Sequence, residues 1–195
     1  MNNYQKHINQ IANLNGRPTL LIHVCCGVCS VYPLLYLRKH FNITIYFSNS
    51  NIFPYEEYTK RLDALNQYLD ILKDPNIKLV VSDYNYKGFN ALISQYKNEK
   101  EGGKRCKLCY FLRLKDTFAY AKENHYDYVT TVMSISNRKN AEWINEIGEK
   151  LEAEYKVKYL YADFKKGNGI TENEKLNKKL GLYHQNYCGC EYSIR

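Results

Sequence analysis

The sequence predicts an α/β fold: a single domain in three layers, with a parallel sheet and helices on both of its faces. Three observations carry that expectation. Short apolar runs alternate with longer amphipathic stretches along most of the chain, and parallel strands need crossover connections of that kind. The first of these runs, TLLIHV, is short and uninterrupted, as a buried strand is. The chain has 195 residues and no internal repeat or Pro/Gly/Ser-rich linker, so residues 1–195 are taken as one domain with a substantial core.

The elements follow in order. Tyr4, Ile8, Ile11 and Ala12 fall at helical spacing and predict an opening amphipathic helix. Thr19 to Val24 is the first strand. Ser30 to His40 reads as a helix with Ser30 near its start and Pro33 tolerated in the first turn. Ile43 to Phe47 is the second strand, residues 48–54 are a loop, and Tyr55 to Leu72 is a long helix with Leu62, Leu65, Leu69 and Leu72 along one face. Lys78 to Ser82 is the third strand and Phe89 to Lys97 a helix. A polar loop, NEKEGGKR, then delivers Cys106 to a helix ending near Asn124. Tyr126 to Met133 is the fourth strand, Asn137 to Tyr155 a helix, and Val157 to Phe164 the fifth strand. Ligands in such sheets bind beyond the carboxyl ends of the strands. Cys25, Ser48 to Asn51, Met133 to Ser136 and Asp163 all fall at such ends, which points to one mouth.

All seven cysteines lie in three groups, Cys25-Cys26-x-x-Cys29, Cys106-x-x-Cys109 and Cys188-x-Cys190. Cysteines kept for packing would scatter, whereas thiolates sharing metal ions are held together by short local spacings. Cys25 and Cys26 end a strand and Cys29 opens a helix, where backbone N–H groups and the helix dipole favour thiolate. Cys26-Gly-Val-Cys29 alone would also suit a thioredoxin-like redox pair, but that leaves Cys25 and four downstream cysteines without a task. A structural zinc site from Cys26, Cys29, Cys106 and Cys109 leaves three unused. Seven thiolates divide naturally into four for a cubane iron–sulfur cluster and three for a metal with an open coordination position. Cys106 and Cys109 at a helix start pair with Cys25 and Cys26 in the first set; Cys29, Cys188 and Cys190 form the second, with Gly189 allowing a tight turn. Cys26 and Cys29 can exchange places in this division.

The formal charge is +8. That suits a polyanionic partner such as nucleic acid, although a composition rich in Lys, Asn, Ile and Tyr produces a basic protein by itself. The polar N-terminal stretch lacks the apolar run of a signal peptide, and no segment approaches the roughly 20 apolar residues of a membrane span. A cytoplasmic, reducing setting without a membrane partner is therefore expected, where an odd number of cysteines favours metal over disulfides.

HVCCGVCS, SNSNIFPYEEYTKR, GGKRCKLCYFLRL, TTVMSISNRKN, DFKKGNG and LYHQNYCGCEYS, in that order, resemble the metal-dependent, cobalamin-independent epoxyqueuosine reductases, from about Leu20 to Ser193. The chain departs from the family pattern at Gly27-Val28, where Ala-Pro is common, and at Asn137, where proline is usual. Some relatives carry Asp at the position of Cys29, which suits an iron ligand there that need not be a thiolate. The resemblance implies a fold similar to the adenine nucleotide alpha hydrolase (HUP/PP-loop) group, with a cysteine-rich loop replacing the ATP-binding glycine loop. Neither SGGxDS nor GxxxxGK[ST] is present, so ATP is not expected. It further implies reduction of the epoxyqueuosine epoxide to an alkene at the anticodon wobble position of tRNA, the last step of queuosine formation, with a [4Fe-4S] cluster, a separate mononuclear iron, no cobalamin and an unidentified electron donor. Two competing readings are a sulfur-transfer or desulfidase enzyme acting on tRNA or thiobases, and a zinc-stabilised nucleic-acid-binding module.

Converting an epoxide to an alkene takes two electrons and two protons and releases water. Such a site needs an electron relay, a Lewis acid and a proton donor; the two metals would divide the first two roles, with Cys29 as a ligand of the catalytic iron. Asp163, before Phe-Lys-Lys, is the expected proton donor or partner of the substrate amine, against a turn cap. Arg105, Arg113, Lys165 and Lys166 are candidates for tRNA phosphates. Tyr55, Phe164 and Tyr187 are candidates for base stacking. Asn51 and Glu57, with Ser134, Ser136 and Asn140, are candidates for contact with the modified base; helix capping is the other use of the serines. His23 is expected to be a satisfied core residue rather than a ligand.

Overall fold

The computed structural model describes residues 1–194. Five strands, β1 (Thr19–His23), β2 (Asn42–Phe47), β3 (Ile77–Val81), β4 (Tyr128–Thr131) and β5 (Lys158–Tyr159), form one all-parallel sheet in the order β3-β2-β1-β4-β5. Seven helices accompany them: α1 (Asn3–Ala12), α2 (Gly27–Leu37), α3 (Tyr55–Leu72), α4 (Tyr86–Ile93), α5 (Lys104–Glu123), α6 (Ala141–Tyr155) and α7 (Gly169–Leu180). The three layers follow from strand alternation. Leu20 and Ile22 point into a core with Val31 and Leu34 of α2 and Leu65 of α3, whereas Leu21 points into the opposite core with Leu114 and Phe118 of α5 and Ile144 and Leu151 of α6. Central β1 pairs with β2 from Thr19↔Asn42 to His23↔Tyr46 and with β4 from Leu20↔Tyr128 to His23↔Thr131. The carboxyl ends of the three strands are therefore level. No helix among the described residues is long and apolar enough to cross a membrane.

Three local departures from the expected elements matter for the site. Helix α2 starts at Gly27 rather than Ser30, with Cys26 as its N-cap, which places Pro33 in the second turn and removes the bond that would otherwise go to the Cys29 carbonyl. Strand β5 ends at Tyr159, and Asp163 does not terminate it. One more ladder bond forms, from Leu160 N to the Val129 carbonyl at 2.9 Å. Then the Asn145 side chain on α6 takes both backbone groups of Ala162, at 2.9 and 2.8 Å, and draws the chain off the sheet. Third, α7 was not foreseen, because its docking is partly polar. Leu176 and Leu180 touch the core, while Asn173 and Asn177 both donate to the Val28 carbonyl, at 3.0 and 2.9 Å.

Helix α1 is anchored in the same polar way. Gln10 Nε2 donates to the Tyr159 carbonyl at 2.8 Å, and the buried His7 donates from Nδ1 to the Tyr161 carbonyl at 2.6 Å. Burial holds His7 below the ordinary histidine value. Its imidazole is thus neutral in the fold and protonates more readily in the unfolded chain. The unfolded state then binds the extra proton below pH about 6.5, and stability falls as the pH drops through that range. The wild type should lose stability relative to His7→Gln by up to about 1.4 kcal/mol per pH unit on acidification below pH about 6.5. Urea melts at pH 7.5 and 5.5 test this, and equal pH slopes for the two proteins would refute it.

Candidate metal centre

The end of β1 and the start of α2 gather three thiols. Val24 N still bonds to the Tyr46 carbonyl, at 3.1 Å, as an extension of the ladder. Cys25 and Cys26 then turn out of the sheet, and Cys29 follows in the first turn of α2. Their sulfurs lie within 4.8 Å of one another, with Cys25 and Cys26 at 3.8 Å. Cys25 and Cys26 are buried and Cys29 is partly exposed. Helix α3 runs so close beneath that a Cβ on Gly27 would lie 2.5 Å from the Ala64 carbonyl oxygen. The departure from the family pattern at this position thus has a steric counterpart.

Cys106 and Cys109 lie on one face of α5, and Arg113 continues that face one turn later. Gly102 N donates to the Cys106 sulfur at 3.2 Å. Cys188 and Cys190 arrive on the C-terminal loop, where Gly189 takes φ +111°, a conformation that favours glycine. The loop is held by Gly189 O, which accepts from Phe53 N at 2.8 Å, and by Arg61, whose two Nη atoms donate to the carbonyls of Cys188 and Tyr187 at 3.0 and 3.1 Å. Burial, with the charges of Cys188, Cys190 and Cys106 adding to it and Arg113 opposing, pushes the Cys109 thiol up to about 12. All four of these cysteines are thus close enough to feel one another. Among the described residues, Cys25, Cys26 and Cys29 are the one set of three Cys, His, Asp or Glu ligand atoms drawn together within 4.8 Å. This trio runs across the expected four-plus-three division.

Around the thiols stand buried cations with few carboxylates. Arg61 is 1% exposed, Arg113 3% and Lys139 8%. Among the described residues, Arg61 alone of the three has a close carboxylate partner, Glu57, at 2.7 Å. Burial alone would push Lys139 down, but Cys188, Cys25 and Cys29 outweigh it and hold the ammonium above its ordinary value. Hydrogen bonds from Cys26 and Cys29, with Lys139 and Arg113 adding their charge, hold the Cys25 thiol well below its usual value. Gln185 Nε2 donates to the Cys26 sulfur at 3.0 Å. Both polar side-chain atoms of Asn51, itself 1% exposed, lack a hydrogen-bond partner among the described residues.

A cavity of about 450 Å³ opens beside the trio, lined on its thiol side by Cys25, Cys29, Cys188 and Lys139 and on its outer side by Asn173 and Asn177 of α7 and by His184 and Gln185. Ser136 also lines it. Other residues expected at the site are engaged elsewhere. Glu57 is held by Arg61 and by the Tyr183 hydroxyl, at 2.7 Å. Arg105 and Arg113 are buried, and Arg105 ties down the carbonyls of Tyr96 and Lys97 at 3.1 and 3.0 Å. Asn140 caps α6 by accepting from Trp143 N at 3.1 Å. Lys165 donates to the Ser134 carbonyl at 2.9 Å and braces the loop that carries Lys139. Asp163, Phe164 and the exposed Lys166 line a separate cleft with Tyr4, His7 and Tyr36. Phe164 is itself buried, and Tyr187 reaches the cavity wall while Tyr55 lies exposed on α3. Ser134 accepts from Phe164 N at 3.5 Å, and His23 is satisfied by Thr131 Oγ1 and the Ser48 carbonyl, at 3.0 and 3.2 Å. Sequence reasoning missed Lys139, Gln185 and Arg61. All three stand inside stretches that carried the resemblance, NRKN, YHQNYCGC and SNSNIFPYEEYTKR, but a lysine, a glutamine and an arginine there gave no signal of burial.

The model of the family described as "Epoxyqueuosine reductase QueH" matches residues 20–195. Among curated proteins, an epoxyqueuosine reductase QueH of Streptococcus pyogenes serotype M1 is 36% identical over 200 residues, covering 99% of this chain and 78% of that protein. The QueH of Staphylococcus aureus strain Mu50 is 36% identical over 182 residues, covering 91% of this chain and 76% of that protein. The QueH of Thermotoga maritima is 32% identical over 179 residues, covering 90% of each.

Proposed function

The chain belongs to the epoxyqueuosine reductase QueH family, an oxidoreductase family, and from that premise we propose that its cysteine-lined cavity reduces epoxyqueuosine in tRNA to queuosine, using a [4Fe-4S] cluster and an adjacent iron held by its seven thiolates. The observation that carries the cofactor part is the unbalanced buried charge. Moving an ion out of water costs several kcal/mol even after relaxation, on the order of 3–5 kcal/mol when its partner is missing. Among the described residues Arg113 and Lys139 have no close carboxylate, so anionic sulfur is what stands ready there to offset them. A thiolate-bound metal site supplies that charge, and the orphaned amide of Asn51 marks further polar capacity without a protein partner. The donor set fits iron and sulfide.

Exposure suggests how the ligands divide. Cys25, Cys29 and Cys188 line the cavity, whereas Cys26, Cys106, Cys109 and Cys190 do not. Lining places Cys29 and Cys188 on the substrate side, and the division keeps Cys190 with Cys188 on its loop for the iron and Cys25, Cys26, Cys106 and Cys109 for the cluster. When bound, such metals supply electrons and a Lewis acid. The protein's own part is to shape the cavity, exclude water and hold charge where the leaving oxygen becomes negative. Lys139 suits the last role, since its ammonium lines the cavity beside Cys25 and Cys29. Asp163, the other candidate proton donor, lines a separate cleft. Removing one such donor costs roughly 10²–10³-fold. Lys139→Met should lose about that much kcat while retaining its iron, with Lys139→Arg partly active; full activity in the Met variant would remove Lys139 from the mechanism.

The experiment for the whole reading is anaerobic purification, iron and labile-sulfide analysis, and incubation with epoxyqueuosine-containing tRNA and a strong reductant. The expected product is a nucleoside lacking one oxygen. Zinc without labile sulfide, or unchanged nucleoside with a loaded protein, would overturn it.

A further inference from the structure

One face of α7, with Ile170, Asn173, Asn177 and Lys178 at helical spacing, walls the outer side of the cavity. Two of these residues reach past the cavity into the backbone of α2. In an α-helix the carbonyl of residue 28 accepts from the N–H of residue 32. Here the Asn173 side chain meets both groups at once: its Nδ2 donates to the Val28 carbonyl at 3.0 Å, and its Oδ1 accepts from Tyr32 N at 3.1 Å. A side-chain amide thus stands at one rung of the α2 ladder, and side chains inserted there bend helices. The next rung is open for a different reason. Pro33 lies inside α2 and has no N–H, so the Cys29 carbonyl has no donor four residues on. Two consecutive rungs, those of Val28 and Cys29, therefore depart from the regular ladder. Asn173 is 9% exposed, and Asn177 steadies it by donating to its carbonyl at 2.8 Å. Docking of α7 does not by itself require the inserted amide, since Leu176 and Leu180 pack against the core and Asn177 also donates to the Val28 carbonyl, at 2.9 Å.

We infer that Asn173 is a positioning residue for Cys29: it completes the backbone of the turn that carries this thiol and sets where the sulfur stands relative to Cys25, Cys26 and the cavity. The inference rests on the reading of Cys29 as a ligand of the mononuclear iron. Asn173 acts through the Val28 carbonyl and the Tyr32 N–H, which flank Cys29 in the chain. The place and direction of a ligand atom are set by the backbone that carries it, and losing a group that orients a metal ligand typically weakens metal binding by about 10–100-fold.

The test compares wild type, Asn173→Asp, Asn173→Ala and Leu176→Ala, each reconstituted anaerobically and analysed for labile sulfide. The affinity of the mononuclear site for iron(II) is measured by competition with a ferrous chelator, and stability by urea melts. Asn173→Asp keeps the size of the side chain and an acceptor for Tyr32 N but loses the donor to the Val28 carbonyl. Its added negative charge would by itself favour iron, so weaker binding reports the lost geometry. Both Asn173 variants should bind that iron about 10–100-fold more weakly with labile sulfide unchanged. Leu176→Ala should lower the urea midpoint and keep the wild-type iron affinity, which separates placing Cys29 from docking α7. Wild-type iron affinity in folded Asn173→Asp, or an equal loss of affinity in Leu176→Ala, would overturn the inference. So would failure of Asn173→Asp to fold with Leu176, Leu180 and Asn177 in place, which would make Asn173 a docking residue. A wild type that binds no iron beyond its sulfide-containing cluster would instead overturn the reading of Cys29 beneath it, and is recognised before any variant is compared.

Discussion

Cys25→Ala is expected to strip the protein of most of its iron and to lower epoxyqueuosine reduction on the order of a thousandfold, the several kcal/mol that a metal centre contributes to a transition state. Cys25 is the member of the trio whose thiol is held lowest, by hydrogen bonds from Cys26 and Cys29 and the charges of Lys139 and Arg113. It is therefore the thiol most ready to bind metal without losing a proton to solvent first. The side chain is small and 4% exposed, so its truncation leaves the fold intact, and circular dichroism should match wild type. Wild-type iron content and turnover in Cys25→Ala would exclude this thiolate from the metal set. The companion Cys29→Asp keeps an anionic ligand and should retain part of its iron, which separates loss of charge from loss of sulfur.

Arg61→Met should be the most destabilising single substitution at the site. The Arg61–Glu57 pair is almost wholly buried, at 2.7 Å, and breaking a buried pair strands the remaining charge at a cost of about 3–5 kcal/mol. Arg61 also fixes the carbonyls of Tyr187 and Cys188, so iron content should fall with stability as the C-terminal cysteine loop loosens. Adding Glu57→Gln removes the stranded carboxylate, and the double variant should recover part of the loss in a urea melt while remaining poor in iron. A single variant within about 1 kcal/mol of wild type would mean that the pair contributes nothing net, as happens for some buried ion pairs.

Much of this was legible in the chain. Period and length placed β1 to β4 and α3 to within two residues, and the start of β5 but not its end, because apolar spacing reports which side chains must leave water. The grouping of the cysteines announced the close trio of Cys25, Cys26 and Cys29, which could hold a metal, because short spacing along the chain keeps them near in space. Readings failed where a residue's environment came from distant segments. Arg105, Arg113 and Glu57 were expected to be exposed, since charged residues mostly are, yet each is buried, Arg105 against the loop just before its helix, Arg113 against Asn49 and Glu57 against Arg61 and Tyr183. Asp163 looked like the end of a strand, but Asn145 draws the chain off the sheet before it. Helix α7 carries too few apolar residues to show a clear stripe, and asparagines dock it.

The sequence by itself determined the parallel α/β layering, the three cysteine groups and the family, all of which depend on local pattern. The tertiary structure alone decided that Arg113, Lys139 and Arg61 enclose the thiols, that Gln185 reaches Cys26, and that Cys25, Cys26 and Cys29 form the tightest set. Charge and hydrogen-bond partners act across space, and a linear pattern records which side chains exist but not which of them a buried ion will meet.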